Sequence, residues 1–135
     1  LNSIKIEMAT LMSHESGIAL SQTTNEVERT IIVLKEASAI ANKIDDIVWS
    51  SLYKSIFHQK AKLTVISEPL DLAFAITPFN LPLHQVVGKI APAIASGTSI
   101  IVEPSEKTPM TALRFSEILK KVGLSENFVR KGSDP

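Results

Sequence analysis

The chain has 135 residues, of which 44% are hydrophobic, and its 14 Lys and Arg residues balance 14 Asp and Glu residues. A single domain of this length buries about two thirds of the surface that its unfolded chain exposes, so it can fold without a disulfide or a structural metal. The zero net charge argues against nucleic-acid and acidic-membrane partners, and the absence of cysteine excludes disulfides, thiolate metal sites and a cysteine nucleophile within these residues.

The sequence shows no pattern typical of a metal site, a membrane span or a secretion signal. His14, His58 and His84 lack the spacing of metal ligands. The longest apolar stretch, 86–102, is interrupted by Lys89, Pro92 and Gly97, and no basic segment followed by an apolar run stands at the N-terminus. We expect a cytoplasmic protein without a metal. Because the chain begins with Leu1 rather than Met, its N-terminal boundary is provisional.

Residues 1–45 are predicted to form two amphipathic helices. The first ends at Gly17, which tolerates the left-handed conformation, and its apolar stripe is Ile4, Met8, Leu11 and Met12. The second begins at Thr23, where the segment Thr-Thr-Asn-Glu fits a capping box with Glu26. Its predicted buried face consists of Val27, Ile31, Leu34, Ala37, Ala41 and Ile44.

Residues 46–71 combine two conflicting patterns. A helix-like spacing relates Trp49, Leu52, Tyr53, Ile56 and Phe57. In contrast, the run 63–66 is short and rich in residues that favour strands. We expect a poorly defined connection that is followed by a strand.

From residue 72 onward the pattern predicts strand, helix, strand and helix. The apolar runs 72–76 and 98–102 are typical of buried parallel strands, and the first is expected to be buried on both faces. Pro82 begins the intervening helix, which runs to Ser96 and contains Pro92.

The last predicted helix has Thr108 as N-cap, Pro109 as its first residue and Gly123 after its end. Its apolar stripe is formed by Phe115, Ile118, Leu119 and Val122. Residues 130–135 are polar and are expected to form a solvated tail. The whole chain is thus predicted to be a single partial α/β domain, with helices at 1–45, a connection and strand at 46–71, a parallel βαβα unit at 72–129 and a tail.

Polar turns follow both strands of the βαβα unit. Thr77-Pro78-Phe79-Asn80 follows the first strand, and Glu103-Pro104-Ser105-Glu106 follows the second. Parallel strands joined by a helical crossover end at the same edge, where open α/β sheets bind ligands. The two turns are therefore the predicted functional region.

These turns lie within motifs that resemble those of the aldehyde dehydrogenase superfamily. Residues 75–83 resemble the I-x-P-[WF]-N-[FY]-P turn of that family, residues 89–97 resemble its K-x-A-P-A-L-A-x-G helix end, and residues 101–106 resemble its V-V-K-P-S-E segment. The resemblance covers about residues 7–129. It implies a Rossmann-like parallel sheet and the cofactor NAD or NADP.

The resemblance also implies roles for residues of both turns. In the family an enzyme thiolate attacks the aldehyde, hydride passes to the cofactor, and a glutamate activates the hydrolytic water. Asn80 would donate a hydrogen bond to the developing oxyanion. On spacing alone, the role of a turn residue between two prolines is the favoured interpretation, and the resemblance reverses this. Cofactor contacts would come from Ile76, Thr77, Pro78 and Phe79 in the first turn and from Glu103, Ser105 and Glu106 in the second.

Two glutamates in the second turn bear on cofactor choice. Glu106 matches a family glutamate that accepts hydrogen bonds from the adenosine ribose and repels a 2′-phosphate, which favours NAD. Its alternative role is a favourable interaction with the dipole of the next helix. Glu103 stands where the family has a lysine, so cofactor affinity should be reduced.

The resemblance implies that the family's pyrophosphate-binding turn, base glutamate and catalytic cysteine are not among these residues. The leading interpretation is therefore a truncated cofactor-domain segment of an NAD(P)-dependent aldehyde dehydrogenase that is inactive alone. Two alternatives stay open. The chain is either one half of a split enzyme that a second chain completes, or a non-catalytic scaffold that self-associates through an open sheet edge and uncovered apolar faces. By resemblance, a strand near 63–70 contributes to oligomer contacts.

Overall fold

The computed structural model describes residues 1–43, 49–54, 60–65, 68, 70–124 and 129–131, and the side chains of 1–43, 68 and 70–124. A 3-10 turn, Asn2–Ile4, leads into helix α1, Lys5–Ser16. Met8 and Met12 are buried in the core, and Gly17 closes the helix with a φ of 73° and an N–H···O bond to Ser13. The predicted stripe and the glycine stop are both confirmed.

Helix α2 spans Leu20–Ala41 and therefore begins three residues before the predicted start. Thr23 lies inside the helix, where its hydroxyl donates a 2.8 Å hydrogen bond to the carbonyl of Ala9 in α1. The prediction of a capping box between Thr23 and Glu26 was wrong, because the Thr23 hydroxyl donates its hydrogen bond to α1 instead. Val27 is buried and Ile31, Leu34 and Ala37 are partly buried as expected, whereas Ala41 is exposed and Ile44 lies outside the described residues.

Two antiparallel strands follow, β1 at Trp49–Lys54 and β2 at Lys60–Val65, paired from Trp49↔Val65 to Lys54↔Lys60. The strand predicted at 63–66 is confirmed in part. The helix-like spacing was misleading, because residues 49–54 form a strand whose backbone groups pair with β2. Of that pattern, Ile56 and Phe57 lie outside the described residues.

A three-stranded parallel sheet has the order β3-β4-β5, with β3 at Leu72–Ile76, β4 at Ser99–Glu103 and β5 at Val129–Lys131. Helix α3, Pro82–Ala95, connects β3 to β4, and helix α4, Pro109–Lys121, connects β4 to β5. The predicted strand–helix order, the two proline starts and the interior Pro92 are confirmed. Val122 falls just beyond α4 and is 74% exposed, so it does not extend the apolar stripe.

The prediction of a solvated tail at 130–135 was wrong for its first two residues, which belong to β5. Val129, Arg130 and Lys131 pair with Ile100, Ile101 and Val102 of β4. Strand pairing is a backbone interaction, and edge strands commonly carry charged residues, so the polar composition did not prevent a strand. The parallel unit is βαβαβ rather than βαβα.

The hydrophobic core lies between the helices and one face of the parallel sheet. Its centre is formed by Met8, Met12, Val27, Leu83, Val87, Ile100, Val102 and Phe115. On the edge strand β3, Leu72, Phe74 and Ile76 are 58%, 61% and 73% exposed, so burial on both faces was wrong. The alternating side chains Ala73 and Ala75 pack against the core instead. Among the described helices, none is both long and apolar enough to cross a membrane.

Candidate functional site at the edge of the parallel sheet

The carboxyl ends of β3 and β4 bring the two predicted turns together. Ile76 is paired in register with Glu103, and the N–H of Thr77 donates a 3.0 Å hydrogen bond to the Glu103 carbonyl. This bond lies at the point where each strand passes into its turn. The predicted juxtaposition of the two turns is confirmed.

A cation–π contact links the same turns through side chains. The Nζ of Lys107, directly after the second turn, lies 4.6 Å from the ring centroid of Phe79 in the first turn. Such contacts stabilise exposed sites by about 0.5–1 kcal/mol. Sequence reasoning missed Lys107, because no local spacing relates two residues that meet only through the sheet.

The predicted site residues differ in their exposure. Ile76 and Phe79 are 73% and 48% exposed. Pro78, Asn80 and Glu106 are also exposed, Glu103 and Ser105 are half-buried, and Thr77 is buried. The Asn80 side chain forms no hydrogen bond with any residue that the structure describes, so its amide can donate to a ligand. The edge therefore presents apolar surface, an amide donor and a carboxylate.

Glu26 holds the helix that follows the first turn. Its Oε1 accepts 2.9 Å hydrogen bonds from the backbone N–H groups of Leu83 and His84 in the first turn of α3. These N–H groups have no partner within the helix, so a carboxylate from another helix completes them. Glu26 is only 4% exposed. Sequence reasoning placed this glutamate at its own helix, and no local pattern points to α3.

Burial raises the pKa of Glu26 above its ordinary value, because removal from water disfavours the charged form. The hydrogen bonds from the N–H groups of His84 and Leu83 act in the opposite direction and lower this pKa. Since burial is the larger influence, the carboxyl keeps its proton to higher pH than a solvated glutamate does.

Glu15 performs the corresponding task at α4. Its carboxylate accepts hydrogen bonds from the N–H of Met110, from the N–H of Thr111 at 3.1 Å and from the Thr111 hydroxyl at 2.5 Å. Thr108 occupies the predicted N-cap position, but its side chain makes no capping hydrogen bond. The cap therefore comes from α1, far away in the sequence.

Two polar side-chain atoms near the first turn are buried without a hydrogen-bond partner among the described residues. They are Oγ1 of Thr77 and Nδ1 of His84. An unpartnered buried polar atom costs free energy, so such atoms are uncommon in folded proteins and often lie at functional sites. In the part of the chain that the structure describes, no group of three or more acidic or histidine side chains could hold a metal ion.

With this geometry established, comparison with known proteins identifies the family. The model of the aldehyde dehydrogenase family matches residues 1–130. The chain is 36% identical over 132 residues to a 2,5-dioxopentanoate dehydrogenase of Saccharolobus solfataricus, covering 95% of this chain and 27% of that protein. It is 38% identical over 122 residues to an aspartate-semialdehyde dehydrogenase of Pseudomonas canavaninivorans, covering 90% and 26% respectively.

Solved structures agree with the sequence comparison. An NADP-dependent enzyme of E. coli superposes with a TM-score of 0.79 at 25% identity, covering 96% of this chain and 26% of that one. The chain thus spans about a quarter of the length of the relatives that it matches. The matched region carries the three-stranded parallel sheet and both turns of the candidate site, and the chain belongs to the aldehyde dehydrogenase family.

Proposed function

We propose that this chain forms the N-terminal part of the cofactor domain of an NAD(P)-dependent aldehyde dehydrogenase. The observation that carries the proposal is the junction of the two turns, where the Thr77 N–H meets the Glu103 carbonyl at 3.0 Å. The junction sets Asn80 and Glu106 at one edge of a parallel sheet, which is where open α/β sheets bind their ligands.

The residues at this edge fit a dinucleotide in three respects. Ile76 and Phe79 offer exposed apolar surface to a flat ring, and Glu106 offers carboxylate oxygens to ribose hydroxyls. The unpartnered Thr77 hydroxyl is a further polar group at the same junction. We assign Ile76, Thr77, Pro78 and Phe79 to the nicotinamide side, and Glu103, Ser105 and Glu106 to the ribose side. When bound, the cofactor would accept hydride.

Asn80 is assigned the role of oxyanion donor. Its side chain is exposed at the first turn, and none of the described residues occupies its amide. The turn that carries it is fixed on one side by the Thr77–Glu103 bond and on the other by the Glu26 cap on α3. A backbone that is held on both sides of Asn80 limits the reorganisation that its amide needs when charge develops on a carbonyl oxygen.

The preference between NAD and NADP is assigned to the second turn. Glu106 favours NAD, because an exposed carboxylate repels a 2′-phosphate. Lys107 lies next to it in sequence and against Phe79, so its cation partly offsets that repulsion. We propose NAD as the preferred cofactor, with a modest margin over NADP.

Calorimetric titration of the full chain with NAD and with NADP tests this proposal. We expect saturable NAD binding, and a Glu106→Gln variant should narrow the difference between NAD and NADP. Glu36→Gln, a change of the same type at an exposed position of α2, is the matched control and should leave both affinities unchanged. Absence of binding by both nucleotides would refute cofactor binding by this chain alone.

The chain alone should not oxidise aldehydes by the family mechanism. The sequence contains no cysteine, so no thiolate is present to attack the substrate. We therefore expect no formation of reduced nicotinamide when the purified chain is mixed with NAD and an aldehyde. Activity that appears only after addition of a second chain would support a split enzyme.

A second candidate function is a self-associating scaffold, which the exposed face of β3 favours. Leu70, Leu72, Phe74 and Ile76 are between 58% and 73% exposed along one short segment, next to an edge of β3 that pairs with no other strand among the described residues. Apolar surface and an unpaired strand edge in the same place favour association with a second copy.

Light scattering of the purified chain at several concentrations tests self-association. The scaffold predicts a mass that rises with concentration and that Phe74→Asp reduces to the monomer value. Ile32→Asp changes a residue of similar exposure, 54%, on α2 and should not reduce the mass. A monomer at every concentration would contradict the scaffold while leaving the cofactor proposal intact.

A further inference from the structure

The ring of Phe79 lies where the two turns meet, and a cation lies over it. The Nζ of Lys107 is 4.6 Å from the ring centroid. Phe79 is 48% exposed, so a large part of its ring remains open to a ligand. Any flat ligand that packs against this ring comes close to the ammonium group. The charge of Lys107 is therefore part of the surface that such a ligand meets.

The backbone around Lys107 fixes the point from which its side chain starts. The N–H of Lys107 donates a 3.3 Å hydrogen bond to the Ser105 hydroxyl, and the N–H of Thr108 donates a 3.0 Å hydrogen bond to the Ser105 carbonyl. Thr108 is buried, and α4 begins directly after it. Lys107 is thus anchored between the second turn and a helix, while its ammonium reaches the first turn.

The positive charge of Lys107 is not neutralised by an ion pair with any residue that the structure describes. Glu103 and Glu106 are the nearest carboxylates in sequence, yet neither forms such a pair with it. An aromatic face attracts a cation without accepting its proton, so the contact with Phe79 leaves the charge intact. The ring surface at the first turn therefore carries an unpaired positive charge.

The nicotinamide ring changes its charge when it accepts hydride. The oxidised ring is a pyridinium with a positive charge, whereas the reduced dihydropyridine ring is neutral. The adenine, both ribose groups and the diphosphate are the same in the two forms. A cation beside the ring repels the oxidised form but not the reduced form, whereas a cation beside the diphosphate attracts both. The position of Lys107 over an aromatic ring thus bears on the oxidation state of the ligand.

We propose that Lys107 makes this edge selective for the oxidation state of the nicotinamide ring, disfavouring the oxidised nucleotide and favouring the reduced one. The inference rests on the proposed function, which assigns Phe79 to the nicotinamide side, and adds a regulatory property to it. Occupancy of the edge then follows the ratio of reduced to oxidised nucleotide. The preference between NAD and NADP, which is decided at the ribose, is a separate property.

The test is a calorimetric titration of the full chain with NADH and with NAD. We expect NADH to bind about threefold more tightly at low salt, because like charges in a solvated site are only weakly coupled. The difference should become smaller at high salt, which screens the repulsion. Equal affinities at low salt, or tighter binding of NAD, would overturn the inference.

Three variants isolate the charge of Lys107 from other differences between the nucleotides. Lys107→Gln removes the charge and should improve NAD binding relative to NADH by about threefold. Lys107→Arg keeps a cation that packs on aromatic rings, so it should retain the wild-type ratio of affinities. Lys43→Gln removes the same charge at an exposed position beyond the end of α2 and should also retain that ratio. An unchanged ratio in Lys107→Gln, or an equal change in Lys43→Gln, would overturn the inference.

Two small probes separate this inference from the proposed function. Nicotinamide is neutral and 1-methylnicotinamide is a cation of similar size, and NMR shifts of the Phe79 backbone amide report the binding of each. We expect the cation to bind more weakly than nicotinamide in the wild-type chain, with a smaller difference in Lys107→Gln.

The combined results assign each failure to one proposal. Binding of both nucleotides with no dependence on Lys107 would refute this inference alone. If neither nucleotide binds, cofactor binding by the chain alone is refuted, whereas probe binding that depends on Lys107 would still support its selectivity for ring charge. Failure of both nucleotides and both probes to bind would refute the two proposals together.

Discussion

Glu26 and Glu15 each cap the N-terminal end of a helix that lies far away in the sequence. Each carboxylate comes from the N-terminal helices and accepts N–H groups from the first turn of a helix that follows a strand, α3 for Glu26 and α4 for Glu15. Their surroundings differ, because Glu26 is 4% exposed whereas Glu15 is only partly buried. Met110 at α4 is 53% exposed, whereas Leu83 at α3 is fully buried, so water replaces the lost acceptor more readily at Met110 than at Leu83. The same hydrogen bonds should therefore have different energetic consequences.

The largest effect is expected for Glu26→Ala. The change leaves the buried N–H of Leu83 and the partly buried N–H of His84 without acceptors, so the free energy of unfolding should fall by about 2 kcal/mol. Urea denaturation measures the loss, and Glu36→Ala at an exposed position of the same helix is the control. A loss equal to that of the control would mean that Glu26 contributes nothing beyond its helix.

A smaller effect is expected for Glu15→Ala. The free energy of unfolding should fall by about 1 kcal/mol, as it does on the loss of an ordinary N-cap. Solvent can reach Met110 and hydrate its N–H, which limits the loss. The same denaturation experiment measures it, with the exposed neighbour His14→Ala as control. If Glu15→Ala destabilises the chain more than Glu26→Ala does, burial is not what distinguishes the two caps.

The pH dependence of stability sharpens the comparison further. Because burial raises the pKa of Glu26, the folded chain still holds this proton at pH values where the unfolded chain, with a pKa near 4.5, has released it. The stabilisation is complete below that value and is lost as the pH rises through the folded-state pKa. Relative to Glu26→Gln, the wild-type chain should therefore lose stability over this interval.

Urea midpoints of the wild-type and Glu26→Gln chains, measured across the same pH series, test this sign. The glutamine oxygen can still accept both hydrogen bonds, so the comparison isolates the ionisation of the carboxyl. The Arg114 guanidinium lowers the pKa of Glu117, but that group titrates in both proteins and cancels in the difference. A difference that grows in favour of the wild-type chain with rising pH would contradict the prediction.

The smallest effect on stability is expected for Arg114→Ala, which removes an exposed ion pair between α4 and α1. Arg114 bridges Glu7 of α1 and Glu117 of its own helix, and both glutamates are more than half exposed at 55% and 59%. Exposed ion pairs contribute little and are screened by salt. Calorimetry should show a small decrease in Tm that disappears at high salt; a decrease that survives high salt would indicate a packing role for Arg114.

Local patterns predicted the elements that depend on local physics. The apolar runs at 72–76 and near 98–102, the proline starts at Pro82 and Pro109 and the glycine stop at Gly17 were all readable, because each reflects backbone preferences of adjacent residues. The resemblance of the turns to family motifs likewise rests on contiguous residues. The juxtaposition of the two turns at one edge of the sheet could be predicted from the order of the parallel strands.

The remaining features depend on contacts between distant residues. Glu26 fits a capping box in sequence, yet its partners are in α3, and Lys107 meets Phe79 only because β3 and β4 are neighbours. The strand at 49–54 and the edge strand at 129–131 exist through pairing with other strands rather than through their own side-chain pattern. No single window of sequence contains the information for such contacts.

The two carboxylate caps also bear on how the chain reaches its fold. The Glu26–Leu83 and Glu15–Thr111 contacts join residues separated by 57 and 96 positions. During synthesis both glutamates emerge before the strand–helix units that they cap. Closing loops of this length has an entropic cost and slows folding relative to a bundle with local contacts. The hydrogen bonds of Glu26 and Glu15 should form late, after α1 and α2 have packed together. Removing either glutamate should therefore increase the unfolding rate more than it decreases the refolding rate.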